Sequence, residues 1–280
     1  MSVRTYNPSV RVGNWNEDLC LEEDMVKDFL EKRERGELEI QKASQLRESV
    51  LGKTELSVTS DGFVHFGDRV MVVNEADTCQ VRTQPGVEPR QANALAINTS
   101  NSNVSASRML EPSARSTFVI VPVDPAIREG TVLTYGKHFH LCTLPSMGGN
   151  LRLQSDIATF QSSAKKSRKQ LVSFVDQTPS PYLTEWRILN FNPQIRFETE
   201  GLPVPANQKI IFNHCKSNQD LCVLSDCMVK TAFGKEYEVV AYTDLDSHKA
   251  EKDVNHWLIK TGHPGEPSTM ATTLPVGASQ

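Results

Sequence analysis

An internal period of about 70 residues constrains this chain more than any other feature. The segments FVHFGDRVMVVN around Gly67, VLTYGKHFHLCTL around Gly136 and VPANQKIIFNHC around Ala206 are versions of one pattern, spaced by 69 and 70 residues. A second pattern recurs as LRLQSD from Leu151 and LCVLSD from Leu221, again 70 apart. A third opens a short apolar run with an aromatic: TFVIV, EWRIL and HWLIK place Phe118, Trp186 and Trp257 at intervals of 68 and 71. Three units of four short strands close around an axis as a β-trefoil. A propeller asks for at least four blades of roughly 40 to 50 residues, and a solenoid keeps its ends open. The expectation is a mainly β, β-trefoil-like domain over residues 56–262.

What precedes that domain has other periodicities. Residues 1–20 hold Trp15 among Asn, Pro, Gly and Arg with no periodicity, which predicts an extended arm in need of a surface. Residues 21–55 predict a helical extension. Leu21, Met25 and Phe29 recur every four residues, Glu23/Lys27, Asp28/Lys32 and Glu31/Arg35 form i,i+4 pairs, and Gly36 marks a stop before a second helix over 38–51. Alternation starts at Leu56, with Asp61-Gly62 as a turn. Residues 74–116, rich in Thr, Asn, Ser, Gln and Pro around the short ALAI run, predict a long mobile insertion in repeat one, and residues 263–280 a disordered tail.

Charge and targeting signals narrow the partners. The net charge of −4 argues against a polyanion, and residues 1–50 carry most of it, with 8 Lys/Arg against 11 Asp/Glu. No stretch approaches the roughly 18 apolar residues that span a bilayer, and MSVRTYNPSV lacks the apolar core of a signal peptide. The expectation is a soluble cytosolic protein without nucleic-acid or membrane partners. In that compartment the six cysteines stay reduced, and the sequons at Asn98 and Asn103 carry no weight.

The chemical constellations are weak. His214 with Cys215, Cys222 and Cys227 has the right ligand types for zinc, but the cysteine gaps of 7 and 5 along alternating strands lack the short knuckle of structural zinc sites. Buried core cysteines are the favoured reading. His138 and His140 share a strand face without a third ligand candidate nearby. Asp244, Asp246, Ser247 and His248 hold the residue types of a hydrolase triad, yet triads converge from separate elements, and no nucleophile elbow, P-loop or H-E-x-x-H is present. The expectation is no enzyme, no cofactor and no metal. Lys165, Lys166, Arg168 and Lys169 put four positive charges in five residues between two strands of repeat two. That predicts a basic loop tip, either a solubilising loop or a contact for an acidic protein surface. The tripeptides Thr-Glu-Trp and Asn-His-Trp replace the Gln-x-Trp of ricin-type lectins, and the W-x-I endings with Phe-Gly and Tyr-Gly strand openings are similar to MIR-type repeats.

Longer segments carry a closer likeness. VRVGNWNEDLCLEEDMVKDFLEKRERGEL, FGDRVMVVN, GLPVPANQKIIFNHCKSNQDL, FGKEYEVVAYTDLDSHKAEKDVNHW and LIKTG resemble the cilia- and flagella-associated protein 161 family across roughly residues 8 to 262. The resemblance implies a structural microtubule inner protein, bound to tubulin and neighbouring inner proteins inside the doublet microtubules of the ciliary and flagellar axoneme. Trp15 in the arm and Lys165, Lys166, Arg168 and Lys169 in the basic loop are the candidate partner contacts. The alternative is a soluble adaptor or ligand-binding trefoil with a pocket near the three-fold axis.

Overall fold

The computed structural model describes residues 15–75, 92–98, 102–147, 151–176 and 180–262. They divide into two units that meet between Gly52 and Lys53.

The first unit is two helices, α1 (Trp15–Glu34) and α2 (Glu39–Leu51). Its start corrects the expected arm: residues 15–20 are helical, and neither Gly nor Pro interrupts the run. The remaining arm residues, 1–14, lie outside the described ones. All three expected i,i+4 pairs form: Lys27–Glu23 at 3.8 Å, Lys32–Asp28 at 2.9 Å and Arg35–Glu31 at 3.7 Å. Gly36 stops the helix in a left-handed conformation, φ +70°. The Glu37 amide reaches back to the Lys32 carbonyl (2.8 Å) and the Gly36 amide to Arg33 (3.3 Å), which satisfies two carbonyls the helix end would orphan. Gln41 of α2 then donates to the Arg33 carbonyl at 3.1 Å.

The second unit holds twelve strands: β1 Arg69–Asn74, β2 Asn93–Ile97, β3 Val104–Ser107, β4 Thr117–Pro122, β5 His138–Thr143, β6 Arg152–Ser155, β7 Gln170–Val175, β8 Trp186–Asn190, β9 Lys209–His214, β10 Gln219–Thr231, β11 Gly234–Ala241 and β12 Trp257–Lys260. Six of them pair antiparallel in a closed ring, β1–β4–β5–β8–β9–β12 and back to β1. A closed ring leaves no unpaired strand edge of its own. The other six form hairpins, β2–β3, β6–β7 and β10–β11, each continuing from a ring strand. β11 binds the other two hairpins together by pairing with both β3 and β7.

Register ties the three sets of four strands together. Phe118 lies opposite Val70, Trp186 opposite Phe139 and Trp257 opposite Ile210, and all three aromatics are fully buried. The indole Nε1 groups of Trp186 and Trp257 donate to the carbonyls of Leu153 and Leu221, both at 2.9 Å. Near the centre three backbones close a cycle: Val64 N–H to Val204 O (3.0 Å), Val204 to Leu133 (2.9 Å), and Leu133 to Val64 (2.8 Å). All three residues are inaccessible to water, so each would otherwise bury an unpaired donor and acceptor.

The same geometry refines two alignments. Gly67 (φ +92°), Gly136 (φ +78°) and Asn207 (φ +58°) turn the chain alike and donate to Ile120, Ile188 and Ile259 at 2.8, 2.9 and 2.9 Å. The third position is therefore Asn207 rather than Ala206, since Asn tolerates the left-handed region where Ala does not. Leu153, not Leu151, corresponds to Leu221, because the matching Trp indole bonds there. A slip of two keeps every side chain on its face, so alternation alone cannot detect it.

Two boundaries also change. The segment read as an insertion contains β2 and β3, the second and third strands of the first repeat; residues 76–91 and 99–101 lie outside the described ones. Lys53 already bridges to Ser113, and the Thr54 amide donates to Pro112 at 3.2 Å, so the β unit begins at residue 53 rather than 56. The tail from residue 263 is outside the described residues.

Candidate protein-contact surfaces

The basic loop is a built turn. Between β6 and β7, the buried Glu238 of β11 accepts the amides of Lys166 (3.0 Å) and Ser167 (2.9 Å) on its two carboxylate oxygens. The Ala164 amide donates to the Lys169 carbonyl at 2.9 Å, and Arg168 takes a left-handed φ of +58° to close the turn. Lys165, Lys166 and Arg168 are exposed, whereas the half-buried Lys169 places its ammonium 3.0 Å from the centroid of the Tyr242 ring. Lys169 thus belongs to the turn's support more than to its tip. The start of the same loop exposes Ile157 and, entirely, Phe160. Beside it Lys216 stands 4.9 Å over the Tyr182 ring and 3.3 Å from the Asp156 carboxylate. Positive charge next to exposed apolar rings suits an acidic protein surface that also offers apolar contacts.

In the helical unit α1 leaves Leu19, Met25, Val26, Phe29 and Leu30 exposed. These positions lie along one side of the helix, and of the four-residue period Leu21, Met25 and Phe29 only Leu21 is buried. Trp15 is the first residue of α1, and its side chain lies outside the described ones.

Most of the residues weighed for metal or acid–base chemistry have structural partners, and Cys215 and Cys227 are only partly buried. His214 sits on the Trp186 ring at 4.9 Å, with Nε2 2.9 Å from the Leu183 carbonyl and Nδ1 2.8 Å from the Ser217 hydroxyl; the carbonyl requires Nε2 to carry the proton, leaving Nδ1 to accept. Burial pushes its pKa down. His140 donates Nδ1–H to the Thr184 carbonyl (2.9 Å) and is lowered by the same cause, while His138 is exposed and meets Glu185 at 3.0 Å. Cys222 packs with Ala164 and Val240, and burial raises its thiol to about 12. Cys215 is raised to about 11. Neutral thiols are poor metal ligands. Among the described residues no group of three or more His, Cys, Asp or Glu is arranged to hold a metal, and Cys79 lies outside them. Asp246 caps its own loop, its Oδ1 accepting the amides of His248 (2.7 Å) and Ala250 (2.9 Å). Asp244 pairs with Lys252 at 3.0 Å.

One buried constellation had no signal in the sequence because one partner sat in the supposed insertion. Arg115 holds Glu236 through two hydrogen bonds of 2.8 and 2.9 Å, Ser105 donates to the same carboxylate at 2.6 Å, and the guanidinium lies 4.0 Å above the Phe233 ring. Burial alone would raise the Glu236 carboxyl; the bonds from Arg115 and Ser105 outweigh it and hold it below its usual range. Both groups are at least 95% buried, so the cluster ties the β10–β11 hairpin to the domain and offers nothing to a ligand.

Residues 42–262 match the cilia- and flagella-associated protein 161-like domain. Proteins named cilia- and flagella-associated protein 161 are 44% identical in Danio rerio, over 95% of this chain and 91% of theirs, and 38% identical in Bos taurus, over 98% and 88%. The Mus musculus protein of that name is 39% identical over 94% and 90%. Among solved structures, the SDF2-like protein from Arabidopsis thaliana superposes with a TM-score of 0.50 at 14% identity, covering 70% of this chain and 94% of that one. A Caenorhabditis elegans protein of unknown function gives 0.52 at 14%, covering 72% and 98%. At such identity these two speak to the fold alone.

Proposed function

The chain belongs to the cilia- and flagella-associated protein 161 family, and on that premise we propose that it is a non-catalytic microtubule inner protein. It binds tubulin and neighbouring inner proteins in the lumen of the doublet microtubules of motile cilia and flagella, and stiffens the axoneme against the strain of beating. The observation that carries this reading is likeness to proteins named for association with cilia and flagella over 88–91% of their length. Three features support it. The residues that resemble catalytic or metal sets are engaged in local structure. No helix among the described residues is long and apolar enough to cross a membrane. The exposed stripe of α1 and the basic, aromatic loop offer two separate surfaces for protein contact. We also read the six-stranded ring with its three hairpins as a β-trefoil of MIR type, a reading supported by the central hydrogen-bond cycle and the matching indole bonds.

Attachment through two linked surfaces makes the second contact effectively intramolecular, so losing either weakens retention beyond its own area. Tagged protein expressed in ciliated cells tests this. It should stay with axonemes through a salt wash, and changing the exposed Met25, Phe29 and Leu30 of α1 to Gln, which keeps the helix, should release it. Changing the exposed Lys165, Lys166 and Arg168 to Ser should only lower the salt needed, since exposed charge pairs contribute about 0 to 1 kcal/mol and are screened. Full-length protein that washes off with the soluble fraction would instead favour a soluble adaptor.

A further inference from the structure

The connections that follow β4 and β8 differ in length. The chain from β8 at Asn190 to the turn at Asn207 is three residues longer than the corresponding chain from β4 at Pro122 to Gly136. The extra length folds into a 3₁₀ turn (Pro193–Ile195) and a short helix α3 (Arg196–Thr199), and Arg196 and Phe197 of α3 line a cavity of about 270 Å³ together with Arg187, Leu189 and Asn190 of β8. At the floor of that cavity the pattern also breaks. Arg187 stands where the register places Val119 and Leu258 in the other two repeats, and its partner Asn213 where it places Val73 and Cys142. The guanidinium is held in place, Nε donating to Asn213 (2.9 Å) and Nη2 to Asn218 (3.1 Å), while Asn213 donates to the buried Asp220 at 2.8 Å. Arg196 is spent on the wall: Glu251 accepts both terminal nitrogens at 2.9 and 2.7 Å, and the Asn190 carbonyl accepts Nε at 2.7 Å. On the rim Phe197 is 89% exposed.

These departures share a direction. A polar network in place of an apolar pair is weak support for stability, and breaks from the local rule concentrate at functional sites. The volume falls just under the roughly 300–1,000 Å³ typical of small-molecule sites, which favours one large side chain over a cofactor. A preorganised guanidinium recognises a planar carboxylate, and an exposed aromatic beside a pocket is the anatomy of an interface anchor. Glu200 also lines the cavity, packed against Gly136, so the site has room for no more than one further carboxylate beside its guanidinium.

We propose that this cavity docks a linear segment of a partner protein, taking one large apolar side chain between α3 and β8, with a neighbouring acidic side chain on Arg187 and Phe197 packed against it. The chemistry is independent of whether that partner lies in an axoneme, so failure here leaves the ciliary reading standing. The test uses the full ¹⁵N-labelled chain titrated with acetyl-Trp-Glu-amide and acetyl-Trp-Gln-amide. Saturable shifts are expected at Gly136, Arg187 and Phe197, at roughly millimolar concentration for so small a probe. Binding should be about tenfold weaker for the Gln probe, for Arg187→Gln and for Phe197→Ser. Because Phe197 is a surface side chain, its variant should melt with the parent, which separates lost docking from lost folding. Absence of saturable shifts at those residues, equal binding of the two probes, or unchanged binding to Phe197→Ser would overturn the proposal.

Discussion

Replacing Trp186 or Trp257 with Ala should destabilise the β unit severely and by similar amounts. Each indole is completely buried and donates to a backbone carbonyl at 2.9 Å. Burying an aromatic of this size removes about 150–250 Å² from water, worth roughly 4–6 kcal/mol at about 25 cal/mol per Å². The indole hydrogen bond adds about 1 kcal/mol, and partial collapse of the cavity gives some back, so about 3–5 kcal/mol is expected for each. For a domain of this length that lowers the melting temperature by roughly 6–20 °C. Trp→Phe at the same sites keeps most of the ring but removes the donor, and should cost about 1–3 kcal/mol. Urea denaturation followed by tryptophan fluorescence and by far-UV circular dichroism measures both, with stability read from the midpoint at constant slope. Either Ala variant within about 0.5 kcal/mol of the parent, the range of surface changes, would refute the claim that these two positions anchor equivalent strands.

Three further outcomes are expected. Arg115→Met should cost about 3–5 kcal/mol by stranding the Glu236 carboxylate, whereas adding Glu236→Leu should recover most of it; a double variant no better than the single would show that the pair's own attraction, not the stranded charge, dominates. Stability should hold above about pH 6.5 and fall below it: His140 and His214 have folded pKa values under those of the unfolded chain, which therefore takes up more protons there, by up to about 1.4 kcal/mol per pH unit for each until its folded pKa is reached. Asp220, raised by burial, opposes them by taking a proton in the fold, and Glu236, held low, adds a further loss in the acid range; identical urea midpoints at pH 7.5 and 5.5 would contradict the histidine account. Purified protein should carry no stoichiometric zinc by elemental analysis and melt unchanged in chelator, and one zinc per chain lost together with structure would promote His214, Cys215, Cys222 and Cys227 to ligands.

Much of the architecture was legible because strands are local. Alternation every second residue and the aromatic at the head of β4, β8 and β12 are written into contiguous segments, and so are the salt-bridged face and glycine stop of α1. Repeat one was half hidden for the opposite reason. β2 and β3 are all-buried NALAI and VSAS; every second residue (Leu95, Ile97, Val104, Ala106) enters the core, but runs this short with Ala and Ser among them give too weak a signal, and the strands packed around them make them strands. The basic loop was legible as charge, but its support by Glu238, 69 residues beyond Lys169, was not.

The amino-acid sequence alone determined the helical character of residues 21–34, the strands around Gly67, Gly136 and Asn207, the aromatic core positions and the family, because each depends on residue identity at short or regular spacing. Only the tertiary structure decided the register, the central cycle of Val64, Leu133 and Val204, the buried Arg115–Glu236 pair and the cavity between α3 and β8. Those arise where separate segments of the chain meet, as Val64, Leu133 and Val204 or Arg115 and Glu236 do. There a slip of two leaves the pattern unchanged while moving every hydrogen bond, and the free energy of pairing buried polar groups, invisible in any local window, selects one arrangement.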